Sequence, residues 1–270
     1  ENDTFSGRDR YYTNGFLFAW RSPRFDPPSW MAPLTGQPNL FFPGGDTRWG
    51  LGFGQKMFTP EDTLARNPDP NDRPYAGWLY GTVSLTSTTP TAVGSVELQL
   101  GLIGPSALGE QVQNNTHDLM NIDRAYGWAW QIKDEPGVNL VFNRQWRLNR
   151  PTGWENLQFG LVPSLAASLG NVQTYAAAGL MLRVGNELNA DFGPPRVRPA
   201  SAGSVFFQPD NKWGWYAFAG VEGRYVARDI TLDGNTWRDS RSVDREALVG
   251  EASLGLAVLI PRARVTFSYT

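Results

Sequence analysis

Long segments in which apolar and polar side chains alternate with a period of two residues dominate this sequence. Residues 95–102, for example, read Ser-Val-Glu-Leu-Gln-Leu-Gly-Leu, which places Val and Leu on one face and Ser, Glu, Gln and Gly on the other. This periodicity predicts β-strands, because successive side chains of a strand point to opposite faces. We find about ten such segments, at residues 15–22, 47–59, 75–89, 92–103, 137–148, 155–169, 172–184, 213–229, 245–260 and 263–270.

The chemistry of the two faces favours an all-β antiparallel transmembrane β-barrel over a soluble sandwich or barrel. Many segments reach the roughly nine to eleven residues that a tilted membrane strand needs. Their polar faces carry mostly small, uncharged residues, as a barrel lumen does. Aromatic residues collect near their ends, as at a membrane interface; these are Trp20, Trp78, Tyr80, Trp146, Trp154, Trp213, Trp215 and Tyr216. We therefore predict one barrel domain over residues 1–270, with its apolar side chains facing lipid.

The predicted connections between strands differ in length. Tight connections are predicted at 149–153 and 170–171, and long ones at 23–46, 60–74, 104–136 and 185–212. Outer-membrane barrels have short turns on one side and long loops on the other, and we expect the same separation here. Within the loop 104–136, residues 106–120 lack the alternation and predict a short helix that begins near Ser106 and carries the chain's single His.

Composition excludes several classes of protein. The 35 aromatic residues (11 Trp, 9 Tyr and 15 Phe) bury too much apolar area for an intrinsically disordered chain. The net charge is −2 and no basic stripe is present, which argues against nucleic acid as a partner. Zero Cys excludes disulfides and thiol nucleophiles, and one His excludes a zinc site with several His ligands. No apolar run reaches the length of a membrane-spanning helix.

A first polar cluster lies at residues 1–15, where carboxylate, amide and hydroxyl groups are dense. Oxygen donors at this density suit a hard cation such as Ca²⁺. The alternative is a loop rich in Asp and Asn whose side chains bond to their own backbone. The spacing is not that of an EF-hand loop.

Two further polar clusters follow. In residues 71–78, Arg73 either pairs with Asp72 in a structural role or meets a phosphate, while Arg66 in the preceding loop is better placed for an anionic head group. On the predicted helix, His117 is followed six residues later by Asp123. A His held by a carboxylate can act as a general base, and no G-x-S-x-G motif supplies a serine, so water is the natural nucleophile. A purely structural His remains the alternative.

The clusters resemble the outer-membrane lipid A 3′-O-deacylases, and the resemblance extends over essentially the whole chain. It is carried by Glu1-Asn2-Asp3, Tyr12-Thr13-Asn14-Gly15, Asp72-Arg73-Pro74-Tyr75-Ala76-Gly77-Trp78, Ile103-Gly104-Pro105, Gly109-Glu110-Gln111-Val112-Gln113-Asn114, His117, Gly127-Trp128, Gln131, Glu135-Pro136 and Phe218-Ala219-Gly220-Val221-Glu222. The resemblance implies a barrel of about twelve strands in the bacterial outer membrane. We therefore expect the sequence to lack one strand at each end.

The resemblance also implies a reaction, which is hydrolysis of the ester that holds the 3′-acyloxyacyl group of lipid A, with Ca²⁺ as cofactor. It makes His117 the general base and Asp123 its carboxylate partner, one methylene shorter than the Glu of other members. Asn2, Asp3 and Thr13 would lie near the metal and the oxyanion. Substrate-binding residues would be Arg66, Arg73 and Gln113. The implied partners are lipopolysaccharide and outer-membrane lipids, with the protein a monomer.

Two other functions remain open from the sequence. A broader outer-membrane phospholipase or esterase would use the same water, His and Ca²⁺ on a glycerolipid. A pore or structural barrel would have no reaction at all, but the large helix-bearing loop is suited to blocking a lumen.

Overall fold

The computed structural model of the chain describes residues 11–23, 28–34, 38–154, 156–194, 213–261 and 263–269. The described strands are β1 (Tyr11–Arg21), β2 (Asp46–Thr59), β3 (Ala76–Thr88), β4 (Ala92–Ile103), β5 (Glu135–Trp146), β6 (Leu148–Pro151), β7 (Gln158–Gly170), β8 (Gln173–Gly185), β9 (Gly214–Asp229), β10 (Leu248–Ile260) and β11 (Ala263–Tyr269). The described α-helices are α1 (Gly109–Met120) and α2 (Ile230–Asp233). Short 3-10 turns lie at Ala32–Leu34, Pro105–Ala107 and Gly127–Trp130.

All of these strands belong to one antiparallel sheet. Its order is β1-β2-β3-β4-β5-β7-β8-β9-β10-β11, and β6 pairs with β7 beside β5. Apart from β6, which continues the line of β5 beside β7, neighbours in the sheet are neighbours along the chain, so the other connections between described strands are simple reversals. None of the described helices has the length and apolar character needed to cross a membrane.

The period-two pattern predicted the strands to within a few residues, with one omission. Residues 148–151 form β6, whereas the sequence predicted a tight connection at 149–153. β5 pairs with β7 as far as Gln145–Ser164, and β6 resumes the pairing at Leu148–Leu161. The gap therefore falls opposite Pro163, which has no N–H to donate to the ladder.

The predicted helix is present, but it begins three residues later than expected. Ser106 belongs to the separate 3-10 turn Pro105–Ala107. Leu108 then takes a left-handed backbone conformation with φ of 59°, which stops the turn, and α1 starts at Gly109. Left-handed residues end right-handed helical segments because they reverse the sense of the backbone.

The predicted separation of short turns from long loops is wrong. We call the end of the sheet that carries α1 the helix end, and the other the far end. Because each strand reverses direction, the helix end carries the connections 60–75, 104–134, 171–172 and 230–247, and the far end carries 22–45, 89–91, 152–157, 186–213 and 261–262. Each end therefore has both long and short connections.

The two faces of the sheet are those predicted for a membrane barrel. In β4, Leu100 is 50% exposed, whereas Gln99 is 0% exposed. β9 repeats the pattern, with an exposed face of Trp215, Ala217, Ala219, Val221, Gly223 and Tyr225. This outer face is apolar and has an aromatic residue near each end, and the polar face is the buried one. A soluble sheet would show the opposite arrangement. Of the aromatic residues predicted to lie at the membrane interface, Trp78, Tyr80 and Tyr216 are instead buried on the inner face, where they pack in interior clusters.

An ionic cluster centred on Asp191 lies in the interior at the far end. One carboxylate oxygen accepts from Arg183 at 2.8 Å, and the other accepts from the Tyr216 hydroxyl at 2.8 Å and from Arg264 at 2.6 Å. Arg147 donates to the main-chain carbonyls of Asn189 and Asp191. The cluster thereby joins β8, β9 and β11 to the segment that follows β8. Because these side chains are almost fully buried, the charges depend on one another for compensation.

Removing the central carboxylate should destabilise the barrel. We expect Asp191→Ala to lower the free energy of unfolding by about 3–5 kcal/mol, because it leaves Arg183 and Arg264 buried without their counter-ion. The measurement is urea unfolding of the refolded protein in detergent or lipid, followed by tryptophan fluorescence. Asp239→Ala, at an exposed position, is the control and should leave the unfolding midpoint unchanged. Equal midpoints for the two variants would contradict the prediction.

Candidate functional site

Helix α1 lies against the outer face of the barrel wall, at the helix end of β2 and β3. The side-chain amide of Gln55 donates to the Ala107 carbonyl at 2.5 Å. On the neighbouring strand β3, a Cβ added at Gly77 would lie only 3.2 Å from the Ala107 Cβ and 3.4 Å from the Gly109 nitrogen. The missing side chain at Gly77 therefore allows the start of α1 to approach the wall closely. Gln55 and Met57 alternate with Lys56, which is on the inner face, so the helix covers the lipid-facing side.

A small apolar cluster anchors the helix and the segment after it. Met57, Tyr75, Ala125 and Trp128 pack together, with Val112 of α1 against them. The rings of Tyr75 and Trp128 lie 4.8 Å apart between centroids. The cluster fixes the distance between α1 and the wall, so the polar side chains on the same face of α1 are held in place.

His117 lies on this face of α1 and is only 4% exposed. Its Nδ1 atom is 2.6 Å from the main-chain carbonyl oxygen of Asp123. A carbonyl can only accept, so Nδ1 must carry the proton, and in the neutral ring Nε2 then holds the lone pair. The contact therefore fixes the tautomer that makes Nε2 the basic nitrogen.

The predicted partnership between His117 and Asp123 is thus made through the main chain. The Asp123 side chain is exposed, and the contact with Nδ1 uses its backbone carbonyl rather than its carboxylate. Asp118, a second acidic residue beside the His, is held by Arg124 at 2.8 and 2.5 Å. The hydrogen bond from Arg124 holds the pKa of Asp118 below its usual range.

Asn114 positions the segment that carries this carbonyl, a role that the sequence pattern does not predict. Its side-chain oxygen accepts from the Ala125 N–H at 2.9 Å, and its side-chain nitrogen donates to the Ala125 carbonyl at 3.2 Å. Asn121 in a left-handed conformation ends α1, and Ile122 N–H bonds back to the His117 carbonyl at 2.9 Å. Together these bonds fold residues 121–125 back over the helix.

Gln113 lies one helical turn before His117, on the same buried face. Its side-chain oxygen accepts from the indole N–H of Trp128 at 2.8 Å, which sets the orientation of the amide. The amide nitrogen, also buried, has no hydrogen-bond partner in the part of the chain that the structure describes. The arrangement therefore presents N–H groups beside the His and can donate to an oxygen that enters the site.

The N-terminal candidates are only partly within the described residues. Asn2 and Asp3 lie outside them. The backbone of Thr13 is described: the β1–β2 register shifts between Tyr12–Phe58 and Asn14–Met57, so Thr13 is the extra residue of a β-bulge. Because Met57 is also in the cluster that holds α1, the bulge lies at the part of the wall that α1 covers.

The two predicted substrate-binding arginines lie in different places. Arg66 is exposed, its guanidinium lies 5.0 Å from the Tyr126 ring centre, and its carbonyl accepts from Trp130 at 3.1 Å. It therefore borders the segment that follows α1.

The structure does not bring Arg73 to His117. Arg73 donates to the Thr231 hydroxyl at 3.2 Å and lies over Phe58, an inner-face residue. The alternation of β2 puts Phe58 on the opposite face of the wall from Met57, which packs near α1, and these contacts agree with the structural role considered for Arg73.

Comparisons with known proteins agree with this architecture. The family model described as outer membrane protein LpxR matches residues 1–270. Among solved structures, LpxR from Salmonella typhimurium matches with a TM-score of 0.77 at 19% sequence identity, covering 98% of this chain and 83% of that one. A comparison with curated protein sequences finds no match. The structural match confirms the predicted fold class, an all-β antiparallel membrane barrel with a short helix in a long loop.

The tautomer of His117 should depend on Asn114. In Asn114→Ala the 121–125 segment loses the two bonds that tie Ala125 to α1. The Asp123 carbonyl should then hold Nδ1–H less firmly. We expect wild type to show one dominant Nδ1–H tautomer and Asn114→Ala a mixture of the two tautomers. The measurement is ¹⁵N NMR of labelled His, which is unambiguous because the chain has one His. Asn115→Ala, exposed on the same helix, should resemble wild type, and a spectrum of Asn114→Ala that matches it would refute the assignment.

Proposed function

Because the chain belongs to the outer membrane protein LpxR family, we propose that it hydrolyses the ester that holds the 3′-acyloxyacyl group of lipid A. Family membership makes it an outer-membrane protein, and the finer assignment is supported by the site. The observation that carries it is His117, buried between α1 and the lipid-facing side of the wall with Nε2 as the basic nitrogen. A base at this position can be reached by a lipid without leaving the membrane.

The surroundings of α1 suit a lipid substrate. Leu119 is 88% exposed, and Leu108, Met120 and Ile122 are also exposed large apolar residues along or beside the helix. The outer face of β2 continues the apolar surface with Leu51 and Phe53. Acyl chains can lie against such a surface while the ester reaches the polar groups beneath the helix.

In the proposed reaction, His117 takes a proton from water as the water oxygen bonds to the ester carbonyl carbon. The tetrahedral intermediate then collapses, and the bond between that carbon and the sugar oxygen breaks. The protonated imidazole returns its proton to the departing oxygen. The products are the free acyloxyacyl acid and lipid A with a hydroxyl at the 3′ position. The carbonyl of Asp123 supports the step by keeping Nδ1 protonated.

Gln113 and Thr13 are proposed to stabilise the oxyanion. The Gln113 amide nitrogen is buried, and Trp128 fixes its direction, so it is preorganised as a donor. The bulge at Thr13 places that residue on the same part of the wall. Asn2 would add an amide donor or a metal ligand. Asp123, with its carboxylate exposed, would add negative charge beside the imidazolium that forms.

A calcium ion, when bound, would polarise the ester carbonyl and neutralise nearby carboxylates. Within the described ranges, no group of three or more His, Cys, Asp or Glu side chains could hold a metal ion. The proposed ligands are therefore Asp3 and Asn2, whose carboxylate and amide oxygens fit a hard cation in type.

Arg66 is the proposed contact for a lipid A phosphate or sugar. Its guanidinium is exposed and stacked on Tyr126, so its charge lies at the edge of the site rather than inside it. A monomer is sufficient for this chemistry, since every proposed group comes from one chain.

Of the alternatives, a pore is disfavoured by the bulk of the described interior. Large side chains fill the helix end, among them Phe58, Trp78, Tyr80 and Ile230, and a second cluster around Tyr216 and Phe218 fills the far end. A broader phospholipase would use the same groups, and substrate tests distinguish it from a lipid A deacylase.

Replacing His117 should abolish hydrolysis without unfolding the barrel, because the residue is on a loop helix and not in a strand. We expect His117→Ala to lower turnover about a hundredfold to ten-thousandfold. The measurement is mass spectrometry of lipid A from outer membranes with and without the protein, where loss of the acyloxyacyl mass reports activity. Parallel assays on phospholipid vesicles test the phospholipase alternative. Near wild-type turnover by His117→Ala would exclude a His base.

Activity should also require Ca²⁺, with Asp3 the most sensitive ligand. A carboxylate beside the oxyanion is unfavourable without a cation, so chelation should lower turnover and added Ca²⁺ should restore it more fully than Mg²⁺, which binds few all-protein sites. Asp3→Ala should respond weakly to added Ca²⁺. Full activity of wild type in chelator would remove the metal from the mechanism.

A further inference from the structure

An arginine lies on the lipid-facing side of the wall, in the half of β5 nearer the far end. Arg144 pairs with Gly94 of β4 and Leu165 of β7, both on the outer face, and Phe142 and Trp146 flank it along the strand on that face. A charged side chain on the lipid face of a barrel is costly unless it lies near an interface or is paired. The neighbours of Arg144 are mainly apolar, so the cost of its charge must be offset by a hydrogen-bonding or ionic partner.

The guanidinium of Arg144 is not satisfied by the described protein. Its Nε and Nη1 atoms are buried and have no hydrogen-bond partner among the described residues. The side chain lies over the Trp146 ring at 5.5 Å from the centroid, which orients the guanidinium but accepts no ordinary hydrogen bond. The unsatisfied Nε and Nη1 groups lie on different edges of the guanidinium, and Nη2 completes either edge as a pair of N–H donors that can bind two oxygens of a phosphate.

The guanidinium opens into an apolar groove of about 280 Å³ on the outer wall. Its lining includes Leu40, Phe41, Phe142, Leu165 and Ala176. The groove has a cationic end and an aliphatic and aromatic lining, and this combination matches a molecule with a phosphate and an acyl chain. A free phosphate would use only the first of these features.

One wall of the groove is built by the connection between β1 and β2, which folds onto the outer face. The rings of Phe41 and Phe142 lie 4.7 Å apart between centroids, and Phe42 packs near Leu85 on the same face. The backbone at Phe41 passes so close to Gly94 that a Cβ there would lie 1.9 Å from the Phe41 oxygen and 3.2 Å from Arg144 Nη1. Glycine at position 94 is what lets the connection cross beside the guanidinium.

We propose that Arg144 and this groove form a binding site for a membrane glycerophospholipid. The phosphate binds the guanidinium, and an acyl chain lies in the groove. The site is at the far end and α1 is at the helix end, so the lipid comes from the leaflet opposite the one that the active site serves. That assignment of leaflets rests on the proposed function, because a lipid A substrate lies in the outer leaflet and α1 would then lie at that leaflet. The bound lipid would be a structural ligand and not a substrate.

The test is native mass spectrometry of the delipidated full chain in detergent, titrated with phosphatidylglycerol. Wild type should retain a single lipid at saturation. Arg144→Gln should weaken retention about tenfold or more, since it removes a charge-assisted contact. Arg144→Lys should fall between them, because a point charge replaces a fork. Ala176→Phe, which fills the groove and keeps the charge of Arg144, should also weaken retention of the lipid.

Two matched controls separate this site from general attraction to lipid. Arg150→Gln removes an exposed cation from the same face of the neighbouring β6, and Ala217→Phe adds a ring to the outer face of β9; both should behave as wild type. The proposal is overturned if wild type shows no saturable binding, if Arg144→Gln binds as wild type does, or if Arg150→Gln is weakened equally. Heat-modified gel mobility checks that each variant is folded.

A titration with lipid A separates the two lipid sources. We expect Arg144→Gln to leave the binding of lipid A unchanged; loss of lipid A and not of phosphatidylglycerol would refute the phospholipid assignment. The readout is binding and not hydrolysis. If the wild type binds a phospholipid but has no deacylase activity, the proposed function is wrong and the lipid site is supported. If the wild type has deacylase activity but binds no phospholipid, the lipid site is wrong and the proposed function is supported.

Discussion

The structure depends on the pairing of every strand with its neighbours while apolar side chains face outward. A hydrocarbon surrounding offers no hydrogen bonds, so the backbone groups of the wall must be satisfied within the sheet. From β2 to β10 the described strands meet this requirement by antiparallel pairing on both sides. The wall is then an inert surface of Leu, Val, Phe and Trp on the outside. Reactive groups can be added only inside the barrel, at its ends, or on a segment laid over the outside.

At both ends of the sheet, a segment laid over the outside of the wall carries or borders a polar group. At the helix end, α1 and the segment after it lie over β2 and β3, and His117 is buried on α1. At the far end, the connection before β2 lies over β3, β4 and β5 and borders Arg144. In each case a glycine on the outer face, Gly77 or Gly94, lets backbone approach backbone. A polar site is thereby formed beside lipid without breaking the hydrogen bonds of the wall.

The orientation of His117 by a main-chain carbonyl has a chemical consequence. A carboxylate partner would stabilise the imidazolium strongly, whereas a carbonyl fixes the tautomer with a weaker electrostatic effect. The remaining stabilisation of charge in the proposed reaction would then come from other groups. The exposed carboxylate of Asp123, the Gln113 amide and the N-terminal residues are the proposed sources, which is consistent with a mechanism that divides orientation and charge among different groups.

The sequence alone determined the strands, their faces and the position of the helix, because period-two alternation is a local property with a direct geometric meaning. It also singled out His117, because it is the one His of the chain, and Gln113 on the same predicted helix. It could not show that β5 breaks opposite Pro163, because the partner of a strand is set by the sheet. The partners of Asp123, Asn114 and Arg73 were likewise decided by the tertiary structure. Asp123 contacts His117 through its main-chain carbonyl, a group that every residue has, so residue type does not predict the contact. Arg73 lies on the inner face because Thr231, which is distant in sequence, is its neighbour there.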